Sequence, residues 1–280
     1  MSSGSPLVST DWLDEHLDVD DLIVVEVSSR RSLSPDSVER HVPNARFVYW
    51  RDLCWDDIER RFPDIDTLER RLQAFGVSDE STIAVVGDPF QYGTYAFWVL
   101  AMAGFEDQTV LVDGGRQKWL AEGRRLGREA TGIAKGRLGR RVEDTTSLIG
   151  RDDVIAGLHG SNRLLLDVRS IEEYNGERVS PSWFEFDHGA ERPGRIPGAR
   201  HLHFRDLLDD DGSFLAKDHL AARLDPVILD KEDIVVYCRL GHRASLVWFA
   251  LARTLNHGEV KVYDGSWTEW GTIVGYPIER

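Results

Sequence analysis

With 280 residues and 41% apolar side chains, the chain holds enough nonpolar material for two cores, since a single core stops growing at roughly 250–300 residues. A formal net charge of −14, from 48 acidic against 34 basic residues, disfavours nucleic acid and acidic membrane surfaces as partners. No uncharged apolar run reaches the length of a membrane span, Met1-Ser2-Ser3-Gly4-Ser5-Pro6 lacks the pattern of a signal peptide, and two cysteines are too few for a disulfide scaffold; a reducing compartment, the cytoplasm by default, is expected.

In chain order, the run at 22–27 is short, rich in β-branched residues and apolar apart from Glu26, and reads as a buried strand. The segment at 45–53 follows it and runs on into Cys54. A second strand is predicted over 82–88, ending at Asp88, and Val112-Asp113-Gly114-Gly115 closes the first half. Residues 122–145 carry Arg124, Arg125, Arg128, Lys135, Arg137, Arg140 and Arg141 among glycines, with little periodicity. Such a stretch suits a basic connector packing on acidic domains better than a nucleic-acid arm.

The second half repeats the first. Ala199-Arg200-His201-Leu202-His203-Phe204-Arg205-Asp206-Leu207 reads against the segment at 45–53 at an offset of 154 residues. Tyr263-Asp264-Gly265-Ser266 reads against Val112-Asp113-Gly114-Gly115 at an offset of 151, and the strand ending at Cys238 reads against the strand ending at Asp88. The run at 164–168 pairs likewise with that at 22–27. Strands alternating with helical patterns in both copies imply an α/β architecture with mainly parallel sheets, duplicated within one chain. The expected layout is a domain at 1–130, a linker at 131–145 and a second domain at 146–280.

Chemistry concentrates at Cys238. It ends the apolar run Ile234-Val235-Val236-Tyr237, is followed by Arg239-Leu240-Gly241-His242-Arg243-Ala244-Ser245, and precedes a helical pattern starting at Leu246. A strand, a glycine turn and a helix start place the sulfur before the free amides of a helix N-terminus, which stabilise anions. Two arginines and a histidine add charge, so a partly exposed, nucleophilic thiolate is expected. His242 can gain charge below neutrality. Cys54 matches Leu208 in the repeat, which marks it as a packing residue. Asp88 matches Cys238 and is followed by no cation through Tyr95, so the first copy lacks both nucleophile and anion site.

The stretch at 236–245 resembles the active-site loop of the rhodanese-type sulfurtransferases. Leu166-Asp167-Val168-Arg169, Gly194-Arg195-Ile196-Pro197-Gly198-Ala199 and Tyr263-Asp264-Gly265-Ser266-Trp267-Thr268-Glu269-Trp270-Gly271 are similar to three further motifs of that family, in the same order. The resemblance implies two tandem rhodanese-like domains, each a mainly parallel five-stranded sheet flanked by helices, the first catalytically inactive. It also implies a thiosulfate sulfurtransferase, with a Cys238 persulfide as the covalent intermediate and no separate cofactor or metal.

In that scheme Arg239, Gly241, His242 and Arg243 bind the substrate, with Arg243 facing the pocket. Asp167, Arg169, Ala244, Ser245 and Trp267 support the site; Asp167 and Arg169 read also as an ion pair that shapes the loop, and Trp267 and Trp270 as walls of the cleft or, more often for aromatics three residues apart, as core. Tandem animal members of the family tend to carry an arginine in the segment matching Ile171-Glu172-Glu173-Tyr174, where this chain has Glu173, and that substrate contact is therefore not expected here. The expected partners are a small anionic sulfur donor and a thiol or cyanide acceptor, with the chain acting as a monomer. A 3-mercaptopyruvate donor is the near alternative, although loops of that type carry glycine after the cysteine where this one has Arg239. A rhodanese-fold cysteine phosphatase would need five residues between cysteine and arginine, and only four separate Cys238 from Arg243.

Overall fold

Short apolar runs become parallel strands in both halves of the chain. The computed structural model describes residues 5–31, 40–158, 160, 162–182, 190–224, 228 and 230–280, so the first four residues of the N-terminal reading lie outside the described ones. Chain contacts divide it into two units, Met1–Thr145 with Asp210–Ser213, and Thr146–Asp209 with Phe214–Arg280.

The first unit runs β1 (Leu7–Val8), α1 (Thr10–His16), β2 (Leu22–Ser28), β3 (Arg46–Tyr49), α2 (Trp50–Cys54), α3 (Ile65–Ala74), β4 (Thr82–Asp88), α4 (Phe90–Met102), β5 (Thr109–Val112) and α5 (Gly115–Ala121). Its five strands are parallel, in the order β1-β5-β4-β2-β3. Every residue of β2 is buried, as expected of a strand paired on both edges and covered on both faces. Buried Glu26 within it is held by Arg116 Nε at 2.9 Å and by the Val42 N–H at 3.1 Å, as a polar side chain in a core must be partnered. Helix α4 is apolar on all sides and buried from Gly93 to Met102. It approaches β4 so closely that a Cβ on Gly93 would lie 2.8 Å from Gly87 N.

The basic stretch lies along this unit. Gly136 N–H donates to Gln73 O at 2.9 Å, Arg137 N–H to Ser78 Oγ at 3.0 Å, and Arg141 Nη2 to Asp79 at 2.7 Å. Arg124 pairs with Glu122 at 2.6 Å and Asp14 at 3.4 Å.

The second unit runs α6 (Arg151–Ala156), β6 (Arg163–Asp167), α7 (Ile171–Tyr174), β7 (Arg200–His201), α8 (Lys217–Arg223), β8 (Asp233–Tyr237), α9 (His242–Phe249), β9 (Glu259–Val262) and α10 (Ser266–Trp270). The sheet order is β7-β6-β8-β9, all parallel. The expected fifth strand is missing among the described residues. Its edge position is reduced to one bridge, Leu148 with Val262, closed by Val262 N–H to Ser147 O at 2.8 Å and Ile149 N–H to Val262 O at 3.1 Å. Gly150 then caps α6 at once, which leaves no residues to extend the pairing.

Candidate active site

Reactive groups in open parallel sheets gather at the C-terminal ends of the strands. Here the central strands β6 and β8 end side by side, with Asp167 in register with Tyr237, so that the segments after them meet. Cys238 is the first residue beyond β8. Its own N–H donates to Ser266 Oγ at 3.1 Å, and its carbonyl accepts from Trp267 N–H at 3.0 Å. Ser266 Oγ donates in turn to Tyr263 O at 2.7 Å. Both backbone groups of the cysteine are thus fixed by the start of α10.

Ser266 does this from a left-handed backbone, φ +52°, a conformation that L side chains avoid except where a structure demands it. Its match in the first copy is Gly115, at φ +56°. A Cβ on Gly115 would meet Gly87 O at 2.4 Å, so only glycine fits there. The second copy keeps the strained turn and gains a hydroxyl for Cys238. Ser266→Ala is therefore expected to lose about 1–3 kcal/mol of stability, because the buried Cys238 N–H is left without its acceptor; a denaturant titration reads this directly.

After Cys238 the chain turns through Gly241, at φ +87°, into α9. The helix starts at His242, four residues before the apolar pattern, because Ser245 N–H already bonds Gly241 O at 2.8 Å. His242, Arg243 and Ala244 therefore open its first turn, and their N–H groups lack intrahelical acceptors. The loop is buried rather than partly exposed: Cys238 is 1% exposed, Arg239 and His242 7%, Arg243 5%, and Ala244 and Ser245 0%. From Ala244 onward, residues apolar or small on every side of α9 place it against β8, β9 and the turn at Phe204–Leu207.

One arginine of the loop has a carboxylate partner on another element. Arg243 Nη1 and Nη2 bind Glu173 Oε2 and Oε1 at 2.7 and 3.0 Å, and Glu173 is fully buried. Instead of facing the pocket as a free cation, Arg243 is half of a bidentate pair. Burial alone disfavours its charge, but Glu173 outweighs this, and a charged Cys238 adds to the same effect, so its guanidinium stays protonated. Burial likewise pushes the Glu173 carboxyl up, but Arg243 and then Arg169 bring it below the ordinary range. A capping box fixes the carboxylate, with Ser170 N–H donating to Glu173 Oε2 at 3.2 Å. Burial, with His201, Arg243 and Arg205 acting against Asp206, holds His203 below the ordinary histidine range.

Asp167 and Arg169 shape the site from beneath. Both are fully buried, Arg169 Nε lies 2.9 and 3.1 Å from the two Asp167 oxygens, and Arg169 Nη2 reaches Gly194 O at 2.7 Å. The arginine thereby ties the first and second motifs of the unit together. Trp267 is core rather than cleft wall: it is fully buried, lies under the Arg169 guanidinium at 4.6 Å and donates to Arg192 O at 3.1 Å. Trp270 is fully buried too.

In the first copy, β4 ends at Asp88, whose carboxyl is raised chiefly by burial against the opposing pull of Arg116. Cys54 is fully buried on α2. Among the described residues no group of three or more His, Cys, Asp or Glu side chains is placed to hold a metal ion, and no helix is long and apolar enough to cross a membrane.

Comparison with known proteins agrees with this geometry. A model of the rhodanese-like domain matches residues 151–272. Over 279 residues the chain is 37% identical to "Sulfur carrier protein TtuD" of Thermus thermophilus, covering 98% of this chain and 96% of that one. It is 34% identical to a "Putative thiosulfate sulfurtransferase" of Saccharopolyspora erythraea, covering 100% and 98%. The fold superimposes on SseA of Escherichia coli, described as a 3-mercaptopyruvate sulfotransferase, with a TM-score of 0.71 at 25% identity over 94% of this chain and 99% of the other. With two parallel α/β sheets, a cysteine loop at the end of a central strand and relatives aligned from end to end, the chain belongs to the rhodanese-type sulfurtransferase family.

Proposed function

We propose that the protein is a thiosulfate sulfurtransferase carrying sulfur on Cys238. The observation behind this is the placement of Cys238 at the end of β8, ahead of the first turn of α9, with Arg239 next to it and its backbone fixed by Ser266 and Trp267. The Cys238 thiolate attacks the outer sulfur of thiosulfate; a sulfur–sulfur bond forms to Cys238, the one in thiosulfate breaks, and sulfite leaves with the electron pair. Cyanide or a thiolate then attacks the outer sulfur of the Cys238 persulfide and returns the Cys238 thiolate. The sulfur rides on the protein, so the cycle needs no further cofactor. Amides of the Arg239–Gly241 turn and of the α9 start stabilise the persulfide anion, and Arg239 is the cation offered to the donor.

The catalytic unit in this reading is the second; Asp88 gives the first no nucleophile. The name of the Saccharopolyspora relative supports thiosulfate. One observation favours 3-mercaptopyruvate as a second reading: the Glu173 pair removes one free cation from the site.

The test is a panel with the whole protein, sulfur transfer from thiosulfate and from 3-mercaptopyruvate to cyanide, beside an aryl phosphatase assay. Thiocyanate formed faster from thiosulfate, with no phosphate release, is the expected result. A higher kcat/KM for 3-mercaptopyruvate would move the donor assignment to that compound.

A further inference from the structure

Glu173 has no part in the sulfur-transfer steps, yet it lies fully buried in direct contact with a residue of the Cys238 loop. Two contacts fix it in place. Its oxygens take both terminal nitrogens of Arg243, at 2.7 and 3.0 Å, and one of them also accepts the Ser170 N–H of its own capping box. A carboxylate tied to the N-terminal turn of α7 cannot swing aside when a substrate anion arrives. The arginine is fixed as firmly, since α9 holds its backbone and Glu173 both of its terminal nitrogens. The loop sequence counts two guanidinium charges within five residues of the sulfur. The folded site presents one of them already compensated.

We propose that Glu173 is a specificity-determining residue, which cancels the Arg243 charge and so narrows the advantage of a dianionic sulfur donor over a singly charged one, such as an organic persulfide or a thiol-bearing carboxylate. The inference rests on Cys238 being the sulfur-bearing residue. Arg243 acts in it as a positioning residue for the loop. Other titratable groups near the pair are Arg169, which also acts on Glu173, and His203, which burial shifts below the ordinary histidine range.

The charge at the sulfur can be read without any donor. In the full-length protein, alkylation of Cys238 by iodoacetate and by iodoacetamide, followed by peptide mass spectrometry, compares an anionic with a neutral probe of similar size. Glu173→Gln keeps the side-chain shape and frees the Arg243 charge. It is expected to raise the iodoacetate-to-iodoacetamide rate ratio about three- to tenfold, as one added unit of charge in a partly shielded site would, and to shift the thiosulfate-to-3-mercaptopyruvate kcat/KM ratio the same way. The double variant Glu173→Met with Arg243→Met removes a net-neutral pair and is expected to leave the alkylation ratio within about twofold of the parent. This second variant decides the matter if Glu173→Gln fails to fold.

An unchanged or lowered ratio in Glu173→Gln would overturn the proposal, as would a drop of more than about twofold in the double variant, which would mean that Arg243 acts as a free charge despite its partner. Failure of the sulfur-transfer reading looks different. The parent protein would then turn over neither donor, while the alkylation ratios would still respond to Glu173.

Discussion

Cys238→Ser is expected to abolish sulfur transfer to cyanide while leaving the fold intact, and Cys54→Ser to keep most of the activity. The two residues are both buried, at 1% and 0% exposure, so accessibility does not separate them. Position does. Cys238 stands at the C-terminal end of a central parallel strand, before a helix start and beside Arg239, whereas Cys54 ends the short helix α2 where the other copy has Leu208. A hydroxyl in place of the thiolate cannot form a persulfide, so turnover should fall to background rather than by a modest factor. Thiocyanate formation checks activity and circular dichroism checks the fold. Comparable losses in both variants would remove the basis for assigning the chemistry to Cys238.

The second large effect is expected at Arg239. Arg239→Gln should lower kcat/KM for thiosulfate about ten- to a hundredfold, since a charge-assisted hydrogen bond contributes roughly 1.5–3 kcal/mol. Its effect on 3-mercaptopyruvate should be smaller, because that donor has a single carboxylate set back from its sulfur. Steady-state kinetics with both donors gives the comparison, and equal losses would mean that Arg239 shapes the loop without contacting the donor. Arg243→Ala is a poorer probe of the same question. It strands the buried Glu173 carboxylate and is expected to cost about 3–5 kcal/mol of stability by that route alone.

Much of this was legible in the chain. The short, largely apolar runs at 22–27, 82–88, 164–168 and 234–237 each fall on a parallel strand, shifted by a residue or so at their ends. Local pattern suffices there, because a strand covered on both faces is apolar nearly throughout, with the paired Glu26 of β2 as an exception. The Cys238 loop was legible for a similar reason, since strand, turn and helix are adjacent in sequence.

What escaped depends on contacts between distant segments. Arg243 meets Glu173 across 70 residues, so the loop alone counts as more cationic than the folded site is. Ser266 lies 28 residues beyond the cysteine it fixes; the one hint was its alignment with Gly115, a residue type that marks a left-handed turn. The edge strand expected in the second sheet shrank to the Leu148 bridge because Gly150 begins a helix cap there. Trp267, on the sequence pattern either cleft wall or core, proved to be core because Arg169 stacks on it from the adjoining strand end.

The central claim is that sulfur is carried covalently on Cys238. Treating the protein with thiosulfate in the absence of acceptor, then digesting it without reductant and weighing the peptides, tests this most directly. The predicted result is a gain of one sulfur, about 32 Da, on the Cys238 peptide, lost again on addition of cyanide. A sulfur adduct on the Cys54 peptide instead, or no adduct while thiocyanate still forms, would contradict it.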